Sequence, residues 1–358
     1  MSACARCLAR TWLLGRLASH LDLARDRTLP LLALDDDELI AALGGDQRDA
    51  VATELAAFDP EAARARAAAA ATEIICRCRG EYPNSLRALS APPAVLHVYG
   101  EVRRFVELTG HDPVAVVGAR RPSPYGLDVA HSLGRGLAAA SIPVVSGMAL
   151  GIDTAAHRGA LAAGRETVAA LAGAAEIAYP AAARCLHRKI AAAGAVISEL
   201  PPGTRPRRWM FPARNRIIAA LSAMTVVVEA RTGSGALLTA GTAGELGRLV
   251  GAVPGAVSSP LTAGPHALLR AGAQLISGPQ DVLDGLFGIG ARVVAATPQT
   301  GLESHLQNLL ERLADGHDTV AALALAGLDA DAGLAALASL ELAGRIRRQA
   351  GGRFSVLP

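Results

Sequence analysis

The middle of the chain, from residue 113 to residue 261, alternates short apolar runs with stretches of helical spacing. Continuous apolar runs of this length are typical of strands that are buried on both faces of a parallel sheet. The predicted strands are Val114–Val117, Ile142–Val145, Thr167–Leu171, Ala195–Ser198, Thr225–Val228 and Leu249–Val253, with a further candidate at Gln274–Ile276. The predicted helices are Leu127–Ala140, Thr154–Ala163, Ala183–Ala193, Ile217–Ala223 and Thr239–Arg248. This alternation predicts an α/β fold with a doubly wound, mostly parallel sheet.

Short helices are predicted before this sheet, over residues 1–71. Their apolar faces lie at Leu31–Leu34, Leu39–Leu43 and Val51–Phe58. Asp35–Asp37 offer N-caps before the second of these faces. In the connector 72–112, prolines break helices and favour extended structure such as Ala94–Gly100. We expect a small helical domain at 1–71 and the sheet domain at 72–287.

The C-terminal part of the chain predicts a winged helix after a linker. Residues 288–301 are rich in Gly, Ala, Thr and Pro, which is typical of a linker. Residues 302–358 carry three predicted helices, followed by Arg345–Arg348 and Arg353–Val356 as the strands of a β-hairpin. In some proteins a winged helix binds duplex DNA, and in others it contacts another protein. Both roles stay open for this unit.

Length and charge set broad limits on function. The 358 residues suffice for two or three domains. The formal net charge is only +3, so any argument for a polyanionic partner depends on local clusters of arginine. Arg6, Arg10 and Arg16 interrupt the apolar runs near the start, unlike the pattern of a signal peptide. With no convincing membrane span either, we expect a cytoplasmic protein without membrane contact.

The five cysteines are an odd number in a long chain, which is not typical of a secreted disulfide framework. Cys4 and Cys7 could form a split zinc site with Cys76 and Cys78. The second spacing is tight for chelation, however, and no histidine lies beside either pair. We therefore expect reduced thiols, with no bound metal and no cofactor.

The segment Arg205–Arg216 concentrates the candidate chemistry. It holds five arginines together with Trp209 and Phe211, in a chain that is 3% aromatic. Guanidinium groups offer fixed charge and forked donors to phosphates, and aromatic faces stack on unpaired bases. The segment therefore predicts contact with single-stranded nucleic acid. Burial of the two aromatic rings against the sheet is the alternative.

Turns that follow the predicted strands carry groups suited to anions, at the edge where ligands bind in such folds. After the first strand, Gly118 permits a tight turn and Arg120 can reach an anion at the next helix, although a solvated loop is the alternative. After the fifth strand, Ser234 and Gly235 lead into a helix and offer a hydroxyl and N–H groups to phosphate. The absence of G-K-[ST] excludes a P-loop. Glu229 is expected to pair with an arginine of the basic segment, with a role as a base as the alternative.

The turn after the second strand predicts an anion-binding nest of backbone N–H groups, formed around Ser146 and Gly147. Asp153 is expected to cap the helix that follows, and His157 to pack or to form a hydrogen bond. A Ser-His-Asp hydrolase is the alternative, but the G-x-S-x-G elbow is missing.

Several blocks of this sequence resemble successive motifs of the DNA-processing protein A (DprA/Smf) family. These blocks span residues 118–120, 146–157, 198–203, 211–218, 234–240 and 253–255, with Tyr82-Pro83 and Pro92-Pro93 as the lead-in. The resemblance implies a Rossmann-like domain that binds single-stranded DNA, protects incoming DNA and helps load a RecA-type recombinase in natural transformation. It also implies a homodimer without established catalytic activity. A sterile-alpha-motif or helix-hairpin-helix domain at the N-terminus and a winged helix at the C-terminus are common additions in the family.

The motifs and the resemblance together give the expected DNA-binding residues. They are Gly118, Arg120, Arg121, Ser123, Ser146, Gly147, Met148, Ala149, Arg207, Arg208, Phe211, Arg214, Asn215, Arg216, Ser234 and Gly235. The sequence departs from the family pattern at Ala172, Ala174, Glu176 and Ala181. We expect a weaker contact with DNA there, or a contact supplied by Arg184, Arg188 and Lys189.

A nucleotide phosphoribohydrolase of the Lonely Guy type, on the same fold, is the second hypothesis. That family carries P-G-G-x-G-T-x-x-E. This chain has Gly233-Ser234-Gly235, without the matching double glycine and glutamate. Release of free base from nucleoside monophosphates would distinguish the two hypotheses.

Overall fold

The structure, a computed structural model, describes residues 3–293, 303–325, 327, 329–349 and 351–356. These residues divide into two units, one on each side of the interval 294–302. Of the predicted linker 288–301, residues 294–301 lie outside the described part of the chain. Among the described helices, none combines the length and the apolar character that crossing a bilayer requires.

Six helices open the first unit. They are α1 (Ala5–Arg16), α2 (Ala18–Leu23), α3 (Thr28–Ala33), α4 (Asp36–Leu43), α5 (Arg48–Ala56) and α6 (Pro60–Ala69). Asp35 caps α4 as predicted, because its carboxylate accepts from the N–H of Glu38 while the Glu38 side chain accepts from the N–H of Asp35. Leu13 lies in α1 and Leu17 is the C-cap of that helix. Both pack in one cluster with Trp209. The N-terminal helices therefore share a core with the region that follows them.

One nine-stranded sheet forms the centre of this unit. Its strands are β1 (Thr72–Cys76), β2 (Val95–Gly100), β3 (Val114–Val117), β4 (Val144–Ser146), β5 (Thr167–Ala170), β6 (Ala195–Ser198), β7 (Met224–Val227), β8 (Leu249–Ala252) and β9 (Gln274–Leu275). The order across the sheet is β1-β2-β6-β5-β4-β3-β7-β8-β9. The strands from β6 to β9 in this order are parallel, whereas β1 and β2 add an antiparallel edge. The predicted doubly wound, mostly parallel sheet is confirmed.

Helices cover both faces of the sheet, because its central strands are apolar on both sides. They are α7 (Asn84–Arg87), α8 (Val102–Thr109), α9 (Pro124–Ala139), α10 (Ile152–Ala162), α11 (Arg184–Ala193), α12 (Met210–Leu221), α13 (Gly235–Glu245), α14 (Ala263–Arg270) and α15 (Pro279–Phe287). Phe105 and Ile217 belong to one apolar cluster, and Leu133 and Val282 belong to another. Each face of the sheet therefore has its own core.

Helix α12 begins at Met210, well before its predicted start at Ile217. The physical reason is the burial of Trp209 and Met210, which are both at most 1% exposed. Packing against the N-terminal helices anchors these two side chains, so the first turn of α12 forms over residues that look like a loop in the sequence. The second half of the basic segment is thereby helical.

The strand order contains a switch point. The chain moves from β3 through β4 and β5 to β6, and then crosses back to place β7 on the other side of β3. A crevice forms beyond the carboxyl ends of the strands at such a point, and ligands of doubly wound sheets bind there. The turns after β3 and β7 therefore flank the crevice, and the turn after β4 lies beside it.

The described residues of the second unit form three helices and a hairpin. They are α16 (Ser304–Ala314), α17 (Val320–Leu325), α18 (Ala330–Leu342), β10 (Ile346–Arg348) and β11 (Phe354–Val356). Its core contains Leu309, Leu323, Leu340, Ile346 and Phe354. An isolated bridge joins Thr319 to Arg353. This is the arrangement predicted for a winged helix.

Candidate nucleic-acid interface

The turn after β3 places an arginine at the crevice, as the sequence predicts. Gly118 starts this turn and has no room for a side chain, since a Cβ would lie 2.7 Å from Cγ1 of Ile152. Arg120 and Arg121 follow and are exposed. The Arg120 guanidinium lies over the ring of Phe211, with its carbon 4.9 Å from the ring centroid. Arg120 is thus held over an aromatic face.

Phe211 lies in the first turn of α12 and also contacts Tyr179. Their ring centroids are 5.8 Å apart and the rings are tilted by 54°. Tyr179 is 44% exposed and Phe211 is partly buried. Trp209, by contrast, is fully buried, so of the two predicted stacking residues only Phe211 reaches the surface. Tyr179 supplies the second aromatic face.

Arg214 lies farther along the same helix and forms part of the wall of the crevice. Its Nη1 donates to the carbonyl oxygens of Gly147 and Ala170, at 2.6 Å in each case. Its Nε donates to Oδ1 of Asn215 at 3.2 Å. These partners are neutral oxygens, so they orient the guanidinium without cancelling its charge. Gly147 has to lack a side chain here, because a Cβ would overlap the guanidinium.

Two adjoining cavities share these residues. Both are lined by Arg120, Ala149, Phe211 and Arg214. One has a volume of about 280 Å³ and is also lined by Gly118, Asp153, Asn215, Ser234 and Gly235. The other has a volume of about 240 Å³ and is also lined by Arg121, Gly147, Leu150, Ala172, Tyr179 and Pro180. We call the two cavities together the switch-point groove.

The electrostatics of the groove favour an anion. Burial lowers the pKa of Arg214 to about 10, with the Asp153 carboxylate acting to raise it and the Arg120 charge to lower it further. Asp153 is also buried, and burial raises its pKa against the opposing effects of Arg214 and of two backbone N–H groups. Two guanidinium groups thus share a site with one buried carboxylate. An anion in the groove would be stabilised by both cations.

The predicted anion-binding nest after β4 is already filled by Asp153. Its Oδ2 accepts from the N–H of Gly147 at 3.1 Å and from the N–H of Ala149 at 3.3 Å. The N-cap of α10 is Gly151, and Asp153 lies in the first turn of that helix. The predicted N-cap role of Asp153 is therefore wrong in position. The carboxylate takes the N–H donors that were expected to bind a phosphate.

Ser146, the last residue of β4, and Met148, in the turn that follows, are too deeply buried to reach DNA with their side chains. The Ser146 hydroxyl donates to the carbonyl oxygen of Val116 at 2.7 Å, and Ser146 and Met148 are both fully buried. Ala149 is partly buried and lines both cavities. The turn after β4 therefore acts mainly as a support for Arg214.

Ser123 serves the structure of its own turn. Its hydroxyl donates to Oε1 of Glu229 at 2.6 Å and its N–H donates to Oε2 of Glu229 at 2.8 Å. Its Oγ also accepts from the N–H of Gly126 at 3.1 Å, which caps α9. The predicted pairing of Glu229 with an arginine is wrong, because this carboxylate binds the turn after β3. Ser123 is accordingly engaged inside the protein.

Arg216 lies in the core rather than at the groove. Its Nη2 donates to both carboxylate oxygens of Glu199, at 2.6 and 2.8 Å, and the side chains are 3% and 8% exposed. The expectation that Arg216 contacts DNA conflicts with this burial. Arg207 and Arg208 are exposed just before α12, outside the lining of the groove.

The start of α13 forms the far wall of the groove. Ser234 is the N-cap of α13, and its Oγ is buried without a hydrogen-bond partner in the part of the chain that the structure describes. Nδ2 of Asn215 donates to the carbonyl oxygen of Gly235 at 3.0 Å, which joins α12 to α13. A ligand in the groove could therefore satisfy Ser234.

Tyr179 and Leu150 were not among the predicted site residues, although both line the groove and are 44% and 49% exposed. The signal available for Tyr179 was the dipeptide that it forms with Pro180.

His157 has the structural role that was expected, since its Nδ1 lies 2.8 Å from Oγ1 of Thr167 and the residue is fully buried. Arg184, Arg188 and Lys189 are exposed on α11, outside the lining of the groove.

Comparisons with known proteins bear on this site. The family model described as DNA recombination-mediator protein A matches residues 73–287, and that of the DprA winged helix domain matches residues 293–352. The DNA processing protein DprA of Mycobacterium tuberculosis (strain H37Rv) is 46% identical over 198 residues, which are 55% of this chain and 50% of the relative. The DNA processing protein DprA of Bacillus subtilis is 36% identical over 206 residues, which are 58% of this chain and 68% of the relative. The matched region thus spans about half the length of the mycobacterial protein.

Two solved structures are similar in fold. DNA processing protein A from Streptococcus pneumoniae is 29% identical, with a TM-score of 0.65 over 80% of this chain and 99% of that chain. DNA processing protein A from Helicobacter pylori is 28% identical, with a TM-score of 0.54 over 60% of this chain and 95% of that chain. The Helicobacter structure concerns the single-stranded DNA binding mode of that protein.

Proposed function

Because the chain belongs to the DNA recombination-mediator protein A (DprA/Smf) family of DNA-processing proteins, we propose that it binds single-stranded DNA in the switch-point groove. The observation that carries this proposal is the position of Arg214. It is a buried cation whose hydrogen-bond partners are neutral, beside a second cation, Arg120. A phosphate of the DNA backbone supplies the anion that such an arrangement favours.

The groove also supports a preference for single strands over duplexes. Phe211 and Tyr179 lie next to the two guanidinium groups. A base can stack on an aromatic ring only when it is unpaired and unstacked from its own strand. Phosphate binding by Arg120 and Arg214, combined with stacking at Phe211 or Tyr179, therefore fits a flexible single strand. The proposed contacts within the groove are Arg120, Arg121, Ala149, Tyr179, Phe211, Arg214, Asn215, Ser234 and Gly235.

The wider role proposed here follows from family membership. We propose that the protein is a cytoplasmic homodimer that protects incoming single-stranded DNA and helps to load a RecA-type recombinase onto it. We also propose that it acts by binding, without catalysis. The carboxylate of Glu229, which follows β7, supports this view, because it is bound to Ser123 and so holds the turn after β3 in place.

Fluorescence anisotropy with a labelled oligonucleotide tests the proposed site. We expect Arg120→Ala and Arg214→Ala each to weaken binding of single-stranded DNA by about 10- to 100-fold, as for loss of a hydrogen bond to a charged group. The matched control is Arg165→Ala. Arg165 is exposed and precedes β5, so it lies at the amino ends of the parallel strands, whereas the groove lies beyond their carboxyl ends. Duplex DNA of the same length should bind more weakly than the single strand.

Equal affinity of all three variants for single-stranded DNA would contradict the proposed site. Incubation with nucleoside monophosphates is the parallel test of non-catalytic function. Release of free base by the wild-type chain, and not by Arg214→Ala, would show an enzyme instead.

A further inference from the structure

Four of the five cysteines come together at one end of the sheet. Cys4 is the N-cap of α1, and Cys7 lies in the first turn of that helix. Cys76 is the last residue of β1, and Cys78 lies in the turn that follows it. The two pairs are about 70 positions apart in the sequence, with separations of 71 and 72 between the contacting residues. Only the tertiary structure brings these thiols into one cluster.

The distances suit a shared metal ion. The Sγ atoms of Cys7 and Cys78 are 3.6 Å apart, and the Sγ atoms of Cys4, Cys7 and Cys78 all lie within 4.8 Å of one another. The fourth sulfur, Sγ of Cys76, accepts from the backbone N–H of Cys4 at 3.4 Å. Zinc–sulfur bonds of about 2.3 Å in a tetrahedron separate the sulfurs by about 3.8 Å. A disulfide would instead require about 2.05 Å.

The close approach of these sulfurs also has a chemical consequence. Thiolates at such distances repel one another, and a divalent cation between them removes this repulsion, because it binds cysteines as thiolates and displaces their protons.

We propose that Cys4, Cys7, Cys76 and Cys78 bind one Zn²⁺ ion in a closed, structural site. Four thiolates around a divalent cation leave a net charge of −2, and cationic side chains are interleaved with the ligands. Arg6 stands between the first pair of ligands, and Arg77 and Arg79 flank Cys78. Arg6 and Arg77 line one common cavity of about 330 Å³ beside the cluster.

The burial of the ligands fits a structural site with a route for metal entry. Cys76 and Cys7 are 0% and 1% exposed, Cys4 is partly buried and Cys78 is exposed. With four protein ligands, no coordination position remains open for a substrate, as is typical of structural zinc. Cys185, the fifth cysteine, is exposed on α11 and does not belong to the cluster.

The site would hold the N-terminal helices against the sheet. The metal would join the start of α1 to the end of β1, the edge strand of the sheet. Leu13 and Leu17, at the other end of α1, pack in one cluster with Trp209, directly before α12. Helix α12 in turn carries Phe211 and Arg214. Zinc would therefore stabilise the support of the groove without contacting DNA, and this inference does not depend on the proposed function.

Metal analysis of the full-length chain tests the proposal. We expect about one zinc per chain by elemental mass spectrometry after dialysis, as for a Cys₄ site. Cys78→Ser should abolish the bound zinc, whereas Cys185→Ser should retain it as the matched control. The exposed position of Cys78 makes it the substitution least disruptive to packing.

Cobalt binding to the reduced, metal-free wild-type chain gives a readout that does not depend on any variant. We expect the visible absorption of tetrahedral thiolate-bound Co²⁺, its loss on addition of Zn²⁺, and a rise in Tm with Zn²⁺ that Cys78→Ser lacks. Failure of the reduced wild-type chain to bind Co²⁺ or Zn²⁺ would overturn the proposal. Retention of zinc by Cys78→Ser, or a Cys7–Cys78 disulfide in a chain that binds no metal, would do so as well.

Discussion

Arg214 and Arg216 stand two positions apart on α12 and meet opposite surroundings. Arg214 donates to neutral oxygens at the wall of a groove, so its charge remains available to a ligand. Arg216 donates to both oxygens of Glu199 in the core, where the pair is almost inaccessible to water. Residue type alone therefore does not decide what an arginine does. The partner of each guanidinium group and its exposure decide it.

Loss of Arg216 should reduce stability rather than intrinsic affinity for DNA. Arg216→Met leaves Glu199 buried without its partner, which typically costs about 3–5 kcal/mol of unfolding free energy. Urea denaturation measures this loss, and binding is compared at a temperature where the variant is folded. Arg216→Met in combination with Glu199→Leu should recover part of the stability. A variant that keeps wild-type stability but binds DNA weakly would contradict this account.

At the scale of elements, the turns that follow parallel strands converge because all their carboxyl ends lie at one edge of the sheet. The turns after β3 and β7 flank the switch point and carry Arg120 and Ser234 to the groove. The turn after β4 contributes through the carbonyl group of Gly147, since the N–H groups of Gly147 and Ala149 are bound to Asp153. Each turn is thus specialised either for contact or for support.

Strand β2 contains a buried histidine that should make stability depend on pH. Neither ring nitrogen of His97 has a hydrogen-bond partner among the described residues, and burial lowers its pKa to about 4 from an ordinary value of 6.5. Between these values the unfolded chain binds a proton that the folded chain does not bind. The contribution of His97 to unfolding free energy is therefore fully present above pH 6.5 and falls as the pH drops towards 4.

His97→Leu should flatten this dependence. Removal of one titrating group should reduce the slope of unfolding free energy against pH between pH 6.5 and 4, by at most about 1.4 kcal/mol per pH unit. Stability at pH 7 should stay equal or rise, because an unpaired polar ring leaves the core. Urea denaturation across this range is the measurement, with the exposed His111→Leu as control. An unchanged slope in His97→Leu would refute the assignment.

At the scale of the whole molecule, the formal net charge of +3 is too small to attract DNA by itself. Binding has to come from local positive charge, and each phosphate neutralised by the protein should add about −0.7 to the slope of log affinity against log salt for a single strand. Arg207 and Arg208 are exposed just before α12 and add two positive charges to the surface there. The salt dependence of DNA affinity measures whether these two residues contact phosphates.

The double variant Arg207→Ala with Arg208→Ala should reduce the magnitude of the slope by about 1.4 if both residues neutralise phosphates. Titrations of labelled single-stranded DNA between about 50 and 200 mM potassium chloride give the slope. Arg165→Ala should leave it unchanged. A wild-type affinity that does not vary with salt would refute electrostatic capture by local positive charge.

The sequence by itself determined the parallel strands of the sheet, the winged-helix unit and the family, because these depend on local apolar periodicity and on short motifs. Arg120, Phe211 and Ser234 were also predicted in this way, and the structure places all three in the lining of the groove. Burial and long-range partners could not be predicted, because they depend on which elements pack together. Only the tertiary structure paired Arg216 with Glu199, filled the nest with Asp153 and gathered four distant cysteines. The physical reason is that the role of a charge or a thiol depends on its surroundings. Distant parts of the chain supply those surroundings.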